Sequence, residues 1–225
     1  MKDTKKDTQK TIQWAAIVKT LEVWRRELND PSVTTIAEYY AKSAWAVLAS
    51  TILSLRTKDA VTLEASKRLL AKAASPAALL KLEAEEIEKL IYPAGFYKTK
   101  AGNLLKIARI LIEKYAGKVP ADINTLLELP GVGRKTANLV CIEAFDMDGI
   151  CVDTHVHRIS NRMGWVLTKM PDDTEAALRE ILPRQFWKPI NPLLVLFGQN
   201  VCKPIGPKCS TCPVSQYCEK LIIKH

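Results

Sequence analysis

Apolar positions in this chain recur at intervals of three and four and almost nowhere alternate strictly. Trp14, Ile17, Val18, Leu21 and Trp24 form one such stripe, which predicts an amphipathic helix from near Thr11 to about Leu28, its tryptophans in the core. Residues 1–10 have no apolar core and read as a solvated tail, neither signal nor transit peptide. Asn29-Asp30-Pro31-Ser32 breaks the pattern. From Ser43-Ala44-Trp45 to Leu53 the chain is nearly all apolar, the mark of a helix buried on every side. It runs into a polar loop, Ser54-Leu55-Arg56-Thr57-Lys58-Asp59. A helix over Val61 to Ala73 follows, then another that Ser75-Pro76 opens as N-cap and first residue. A second loop, Ile91 to Tyr97, precedes a helix from Lys100 to Tyr115 with Gly117 as its cap. Asp122 caps a short helix from Ile123 to Leu129. Gly164 ends a later one, Asp172-x-x-Glu175 reads as a capping box, and Asn191-Pro192 starts the last long helix, through Val201. The fold class is all-α.

The 225 residues allow one large domain or two small ones. A formal charge of +9 suits a polyanionic partner. No apolar run reaches the roughly 18–20 residues that span a bilayer, so no membrane role is expected. With no targeting segment, the location expected is cytoplasmic.

Two stretches carry chemistry. In Leu129-Pro130-Gly131-Val132-Gly133-Arg134-Lys135-Thr136, a Pro-Gly-x-Gly turn joins two helices. Gly131 and Gly133 admit positive φ and remove Cβ atoms that would block a close approach. The first amides of the following helix lack partners within it, and its dipole favours an anion. Such a hairpin grips a phosphate through backbone N–H groups, without reading sequence. Lys135 stands at the positive end of that dipole, where a structural lysine is poorly placed. Asp153, 18 positions on, reads as the N-cap of the next helix and can return to the same cleft. His155 and His157, two apart on a helix, point in different directions and do not share an ion with Asp153. They are read as structural or phosphate-contacting.

The second stretch is C-x6-C-x2-C-x5-C: Cys202, Cys209, Cys212 and Cys218. Without an oxidising compartment, four clustered thiols indicate a metal centre rather than disulfides. Spacing alone leaves zinc and a [4Fe–4S] cluster evenly matched. Cys141 and Cys151 stand apart and read as small packed hydrophobes.

Leu-Pro-Gly-Val-Gly-Arg-Lys-Thr-Ala, the later Val-Asp-Thr-His and the four-cysteine spacing together resemble the endonuclease III family of helix-hairpin-helix DNA glycosylases. The similarity runs from about Ser43 to Cys218. It implies two helical lobes with a DNA cleft between them: residues 37–147 as a six-helix barrel with the hairpin at about 123–145, and residues 1–36 with 148–225 as the cluster lobe. It implies a monomeric base-excision repair enzyme acting on double-stranded DNA with damaged pyrimidines or abasic sites. Lys135 attacks the sugar and Asp153 assists. Gly131, Val132, Gly133, Arg134 and His155 hold the DNA backbone. The four cysteines hold a [4Fe–4S] cluster, and Lys203 and Lys208 on its loop meet phosphates. A solvated loop would carry the same two lysines.

The resemblance also assigns the two polar loops. The first supplies a glutamine that enters the gap left by an extruded base; Arg56 stands at that position here, a departure, and an exposed structural arginine is its alternative. The second supplies an apolar wedge, matched by Phe96, for which a place in the core is an equal alternative from spacing. His157 stands where relatives carry an apolar residue. Other readings are a water-using mismatch glycosylase, a non-catalytic DNA-binding module and a metal-dependent nuclease.

Overall fold

The computed structural model describes residues 12–221. Among them are twelve α-helices, four short 3-10 turns and no strand. The expected tail over residues 1–10, and Thr11, lie outside the described residues.

Helix α3 (Ala44–Ser54) is the axis of one apolar core. Every residue from Trp45 to Leu53 is buried, as its unbroken apolar run requires. Its polar members survive there by bonding backwards: Ser50 Oγ and Thr51 Oγ1 donate to the Val47 carbonyl at 3.1 and 2.7 Å. Around it pack α2 (Ser32–Tyr39), α4 (Asp59–Lys72), α7 (Tyr97–Tyr115) and α9 (Arg134–Phe145). Helices α5 (Pro76–Leu79) and α6 (Ala84–Ile91) close over α7, and α8 (Ile123–Leu127) leans on α9.

A second core joins the two ends of the chain. Helix α1 (Trp14–Trp24) packs on α12 (Trp187–Asn200), which also meets α10 (Thr154–Met163); α11 (Pro171–Ile181) lies against α10. Ile17, Leu21, Val156, Ile159, Leu194 and Phe197 are almost wholly buried there. Each contributes about 1.5–3 kcal/mol by leaving water. Trp14 stacks at a tilt on Trp165, ring centroids 4.7 Å apart, so the tryptophan stripe of α1 is core.

Three local readings are corrected. Helix α2 is one that the apolar pattern does not predict. Its first turn is β-branched (Val33, Thr34, Thr35, Ile36), a weak helix former. Its cap comes from 27 residues away: Asp59 accepts from Ser32 N at 2.9 Å and from Ser32 Oγ at 2.7 Å. Val33 and Ile36 belong to the first core, so the boundary expected at residue 36 falls inside α2. Helix α11 starts at Pro171 with Met170 as an uncapped N-cap. Asp172-x-x-Glu175 is therefore no capping box, because both residues already lie inside the helix and Glu175 turns inward. Helix α12 starts at Trp187, not Asn191, and carries Pro192 inside it; the proline removes one early intrahelical bond and the buried face of the helix outweighs that loss.

Candidate active site

The hairpin between α8 and α9 is built by its glycines in two different ways. Gly131 has φ +78, and a Cβ there would press on the side-chain amide of Asn103 from α7. Gly133 has φ −98 and ψ 178, ordinary extended backbone, so the positive φ expected of it is not used. Nothing lies within 4 Å of where its Cβ would stand, which leaves the turn open to a close ligand. Gly133 caps α9 with no side chain, so the leading N–H groups of α9 have no partner from the cap. Val132 differs from its neighbours: its side chain is buried and its N–H donates to Leu129 O at 3.1 Å. Neither is available to an outside ligand.

Lys135 is the second residue of α9, and Asp153 is the N-cap of α10. Asp153 Oδ1 accepts from His155 N and Val156 N, both at 2.9 Å, which leaves Oδ2 outside the cap. Lys135 and Asp153 line one cleft of about 840 Å³, walled by residues of both cores. Gly131, Gly133, Arg134 and His155 line it too, with Arg56 and Phe96 from the two loops. Burial holds the His155 imidazole below its ordinary pKa; Arg158 and Lys135 push the same way and Asp153 opposes. Beneath the lysine, Cys151 is fully buried, with Sγ 3.6 Å from Lys135 O. Burial pushes that thiol up to about 12, so it is inert at neutral pH. Cys141 is likewise buried in the first core. His157 faces away from the cleft residues, with Nδ1 2.6 Å from Thr174 Oγ1. It is buried and structural.

Arg56 and Phe96 both adopt positive φ, +50 and +57, an uncommon backbone state for side chains of their size. Both are exposed, Phe96 to 61%, so its place is not the core. The Arg56 guanidinium lies over the Phe96 ring, 5.6 Å from its centroid.

Sequence reasoning misses the roles of two residues around the cleft. Lys100, buried in α7, donates to the Arg56 loop. Glu175, only 3% exposed, ties α11 to the head of α9. Its Oε2 accepts from Arg134 Nε at 3.0 Å and Asn138 Nδ2 at 2.9 Å, and its Oε1 takes both Nε and Nη2 of Arg179. Besides the capping-box spacing, which assigns it the wrong role, the sequence marks Glu175 only by the Glu175–Arg179 pair at four-residue spacing. Removing one member of so buried a network strands the rest. Glu175→Ala should therefore lower stability by about 3 kcal/mol, roughly 6–12 °C in Tm. Calorimetry checks it, and a shift under 2 °C (roughly what about 1 kcal/mol gives) would show that the network holds nothing.

The four clustered cysteines line a separate cavity of about 430 Å³, with Met163, Phe197 and Val201 in its wall. Its loop is held by α10. Arg158 Nη2 donates to Cys202 O at 2.9 Å; Arg162 donates to Lys203 O at 2.6 Å and Pro204 O at 2.8 Å. Lys203 and Lys208 are exposed on that loop and do not line the cleft.

Fold and cleft together define the helix-hairpin-helix class. Residues 49–184 match the family model described as HhH-GPD superfamily base excision DNA repair protein. An endonuclease III of Thermotoga maritima is 49% identical over 173 residues, 77% of this chain and 81% of that one. A non-covalent endonuclease III–DNA complex superposes with a TM-score of 0.77 at 31% identity, covering 92% of this chain and 94% of that one. A trapped endonuclease III–DNA covalent intermediate does so at 0.73 and 38%, over 77% and 82%. The chain belongs to the endonuclease III family of base-excision repair DNA glycosylases.

Proposed function

We propose that this protein removes oxidised pyrimidines from duplex DNA and then cuts the strand, with Lys135 as nucleophile and Asp153 as its partner. The observation that carries the reading is the meeting of the two at helix N-termini in one cleft, beside an open hairpin and two loops in positive-φ geometry. The damaged nucleotide must first leave the stack, which costs a few kcal/mol. The leading amides of α9 hold the backbone while this happens. The neutral Lys135 amine attacks C1′, the bond from C1′ to the base breaks, and the base leaves with the electron pair and takes up a proton. The attacking nitrogen then gives up a proton and its lone pair displaces O4′ from C1′; O4′ takes up a proton as the sugar ring opens, and the resulting iminium makes the 2′ hydrogens acidic. Loss of one as a proton, with departure of the 3′ phosphate, breaks the strand; hydrolysis of the imine frees the lysine. Asp153 stabilises positive charge on the sugar as the base departs and moves protons. Turnover on duplexes carrying different oxidised pyrimidines tests the substrate class, and activity on none of them would refute it.

A water-using mismatch glycosylase is disfavoured by Lys135. The two apolar cores support two lobes, with α2 assigned to the barrel.

Cys202, Cys209, Cys212 and Cys218 would hold a [4Fe–4S] cluster, which when bound carries charge and redox capacity and staples the loop. No three His, Cys, Asp or Glu among the described residues converge as a single ion requires. The cysteines instead surround a cavity with room for a larger group.

Arg56 gives the opposite-base preference. Its guanidinium only donates, in a planar fork, and guanine offers O6 and N7 to such a fork, whereas adenine presents one acceptor and one donor. A bidentate contact discriminates by about 1–3 kcal/mol, roughly 5- to 150-fold. Single-turnover rates should be faster opposite guanine than adenine, and Arg56→Gln should flatten the ratio. If Arg56 binds phosphate instead, the mutant weakens both substrates equally and lowers the salt slope by about one.

A further inference from the structure

We propose that Lys100 is a positioning residue for the side chains that enter the duplex. Its ammonium fixes the Arg56 loop to the end of α3 and, through Thr57, locks that loop to the one carrying Phe96. The proposal rests on the reading that Arg56 and Phe96 enter the DNA.

Lys100 lies one turn past Phe96 in α7 and is 5% exposed. Its Nζ donates to Leu53 O at 2.8 Å, Leu55 O at 2.6 Å and Thr57 Oγ1 at 2.8 Å. The two carbonyls lie at the C-terminal end of α3, where no helical N–H can serve them and where the dipole favours a cation. No carboxylate among the described residues pairs with Lys100. A buried cation without a counterion is costly. Here all three of its protons are spent on the end of α3 and the loop that follows it.

That loop is fastened to the second one. Thr57 Oγ1 accepts from Gly95 N at 3.0 Å and donates to Leu55 O at 3.2 Å, so its hydroxyl is fully used. A Cβ on Gly95 would run into the Arg56 carbonyl oxygen, so the loops meet backbone to backbone. The guanidinium of Arg68 holds the carbonyls of Leu90 and Tyr92 from behind. Arg56 and Phe96 are thus presented by a single braced unit that holds both in positive φ. A gap-filling group and a wedge set in place beforehand need no ordering when the base swings out.

Charged and titratable groups sharing the cleft with Lys100 are Arg56, Asp59, Arg134, Lys135, Asp153, His155 and Asp172; Asp59 is already bound to Ser32. Burial lowers the Lys100 pKa to about 8. Above that pH the amine has two protons for three acceptors, and the brace loosens. Stability moves the other way. The unfolded lysine titrates near pH 10.4, so between about 8 and 10.4 the unfolded chain binds more protons and folding gains with rising pH.

The test uses the holoenzyme with Lys100→Met, Lys100→Arg and Thr57→Val. Lys100→Met should slow single-turnover cleavage of a damaged duplex by about tenfold, the loss of one charged hydrogen bond. Borohydride trapping on a single-stranded abasic oligonucleotide, which has no gap to fill, should continue near the native rate. Thr57→Val should act in the same direction and Lys100→Arg should restore part of the rate. In an Arg56→Ala background, Lys100→Met should add little, as two residues in one unit require. Wild type, but not Lys100→Met, should lose duplex-specific rate above about pH 8. Equal losses on single- and double-stranded DNA, or full additivity with Arg56→Ala, would overturn the proposal. A wild type that traps neither substrate would overturn the lysine chemistry, and the brace with it.

Discussion

Lys135→Gln should abolish the covalent complex that borohydride traps between this protein and abasic DNA. Glutamine has about the reach of lysine, and its amide nitrogen cannot attack C1′. The folded protein should lose little, because Lys135, half-buried in the first turn of α9, forms no ion pair with a described residue. DNA affinity should stay close to native, since the leading amides of α9 and Arg134 remain. Loss of a covalent route usually costs several orders of magnitude in rate, on the order of 4 kcal/mol or more at the barrier. Asp153→Asn provides the matched control. Asparagine caps a helix about as well as aspartate, so the bonds to His155 N and Val156 N can persist while the charge is lost. It should keep the melting temperature and slow turnover by about 100-fold or more, the range of acid–base catalysis. Trapping of Lys135→Gln at the native rate would refute the assignment. So would an Asp153→Asn protein that turns over normally.

The residues that the sequence could reveal here are those whose role is written into local spacing. Lys135 and Asp153 stand out because a Gly-x-Gly turn and an N-cap are local patterns, and both fall in the cleft. The all-apolar run at Trp45–Leu53 announces the buried axis without any tertiary information. Lys100, Glu175 and helix α2 are silent for the opposite reason: each is defined by a partner 27 or more residues away. Glu175 has the appearance of a capping residue because the rule looks three positions back, whereas its bonds run 37 and 41 positions back to Asn138 and Arg134. Gly133 shows that a glycine can serve a turn for another reason than the torsion expected of it. It is open space at the turn, not a positive φ, that this glycine supplies. Phe96 could not be decided from spacing, because a wedge and a core residue are both apolar at a helix start. Its exposure takes it out of the core and leaves the wedge as the proposed role.

The purified protein should carry about four irons per chain and be yellow-brown. Serine at Cys202, Cys209, Cys212 or Cys218 should bleach that colour and lower solubility. The expectation follows from how little else folds this segment. Between residues 202 and 221, Val214 alone is fully buried, and the regular structure is two three-residue turns. The Arg158 and Arg162 side chains anchor its beginning, at Cys202, Lys203 and Pro204, and the carbonyls of Arg162 and Met163 hold its end, at Cys218, Leu221 and Glu219, which leaves residues 205–217 without an anchor from α10. A loop with so small a core needs a covalent or metal staple. Without it, limited proteolysis should cut between Lys203 and Lys220 while both helical cores stay intact. Cys141→Ser is the control that separates a ligand from a packed thiol. Cys141 is buried in the first core, far along the chain from the other four, and its serine variant should keep full iron and colour while losing some stability. Stoichiometric zinc without iron, in protein prepared without oxygen, would replace the cluster by a single ion and require the cysteines to close around it.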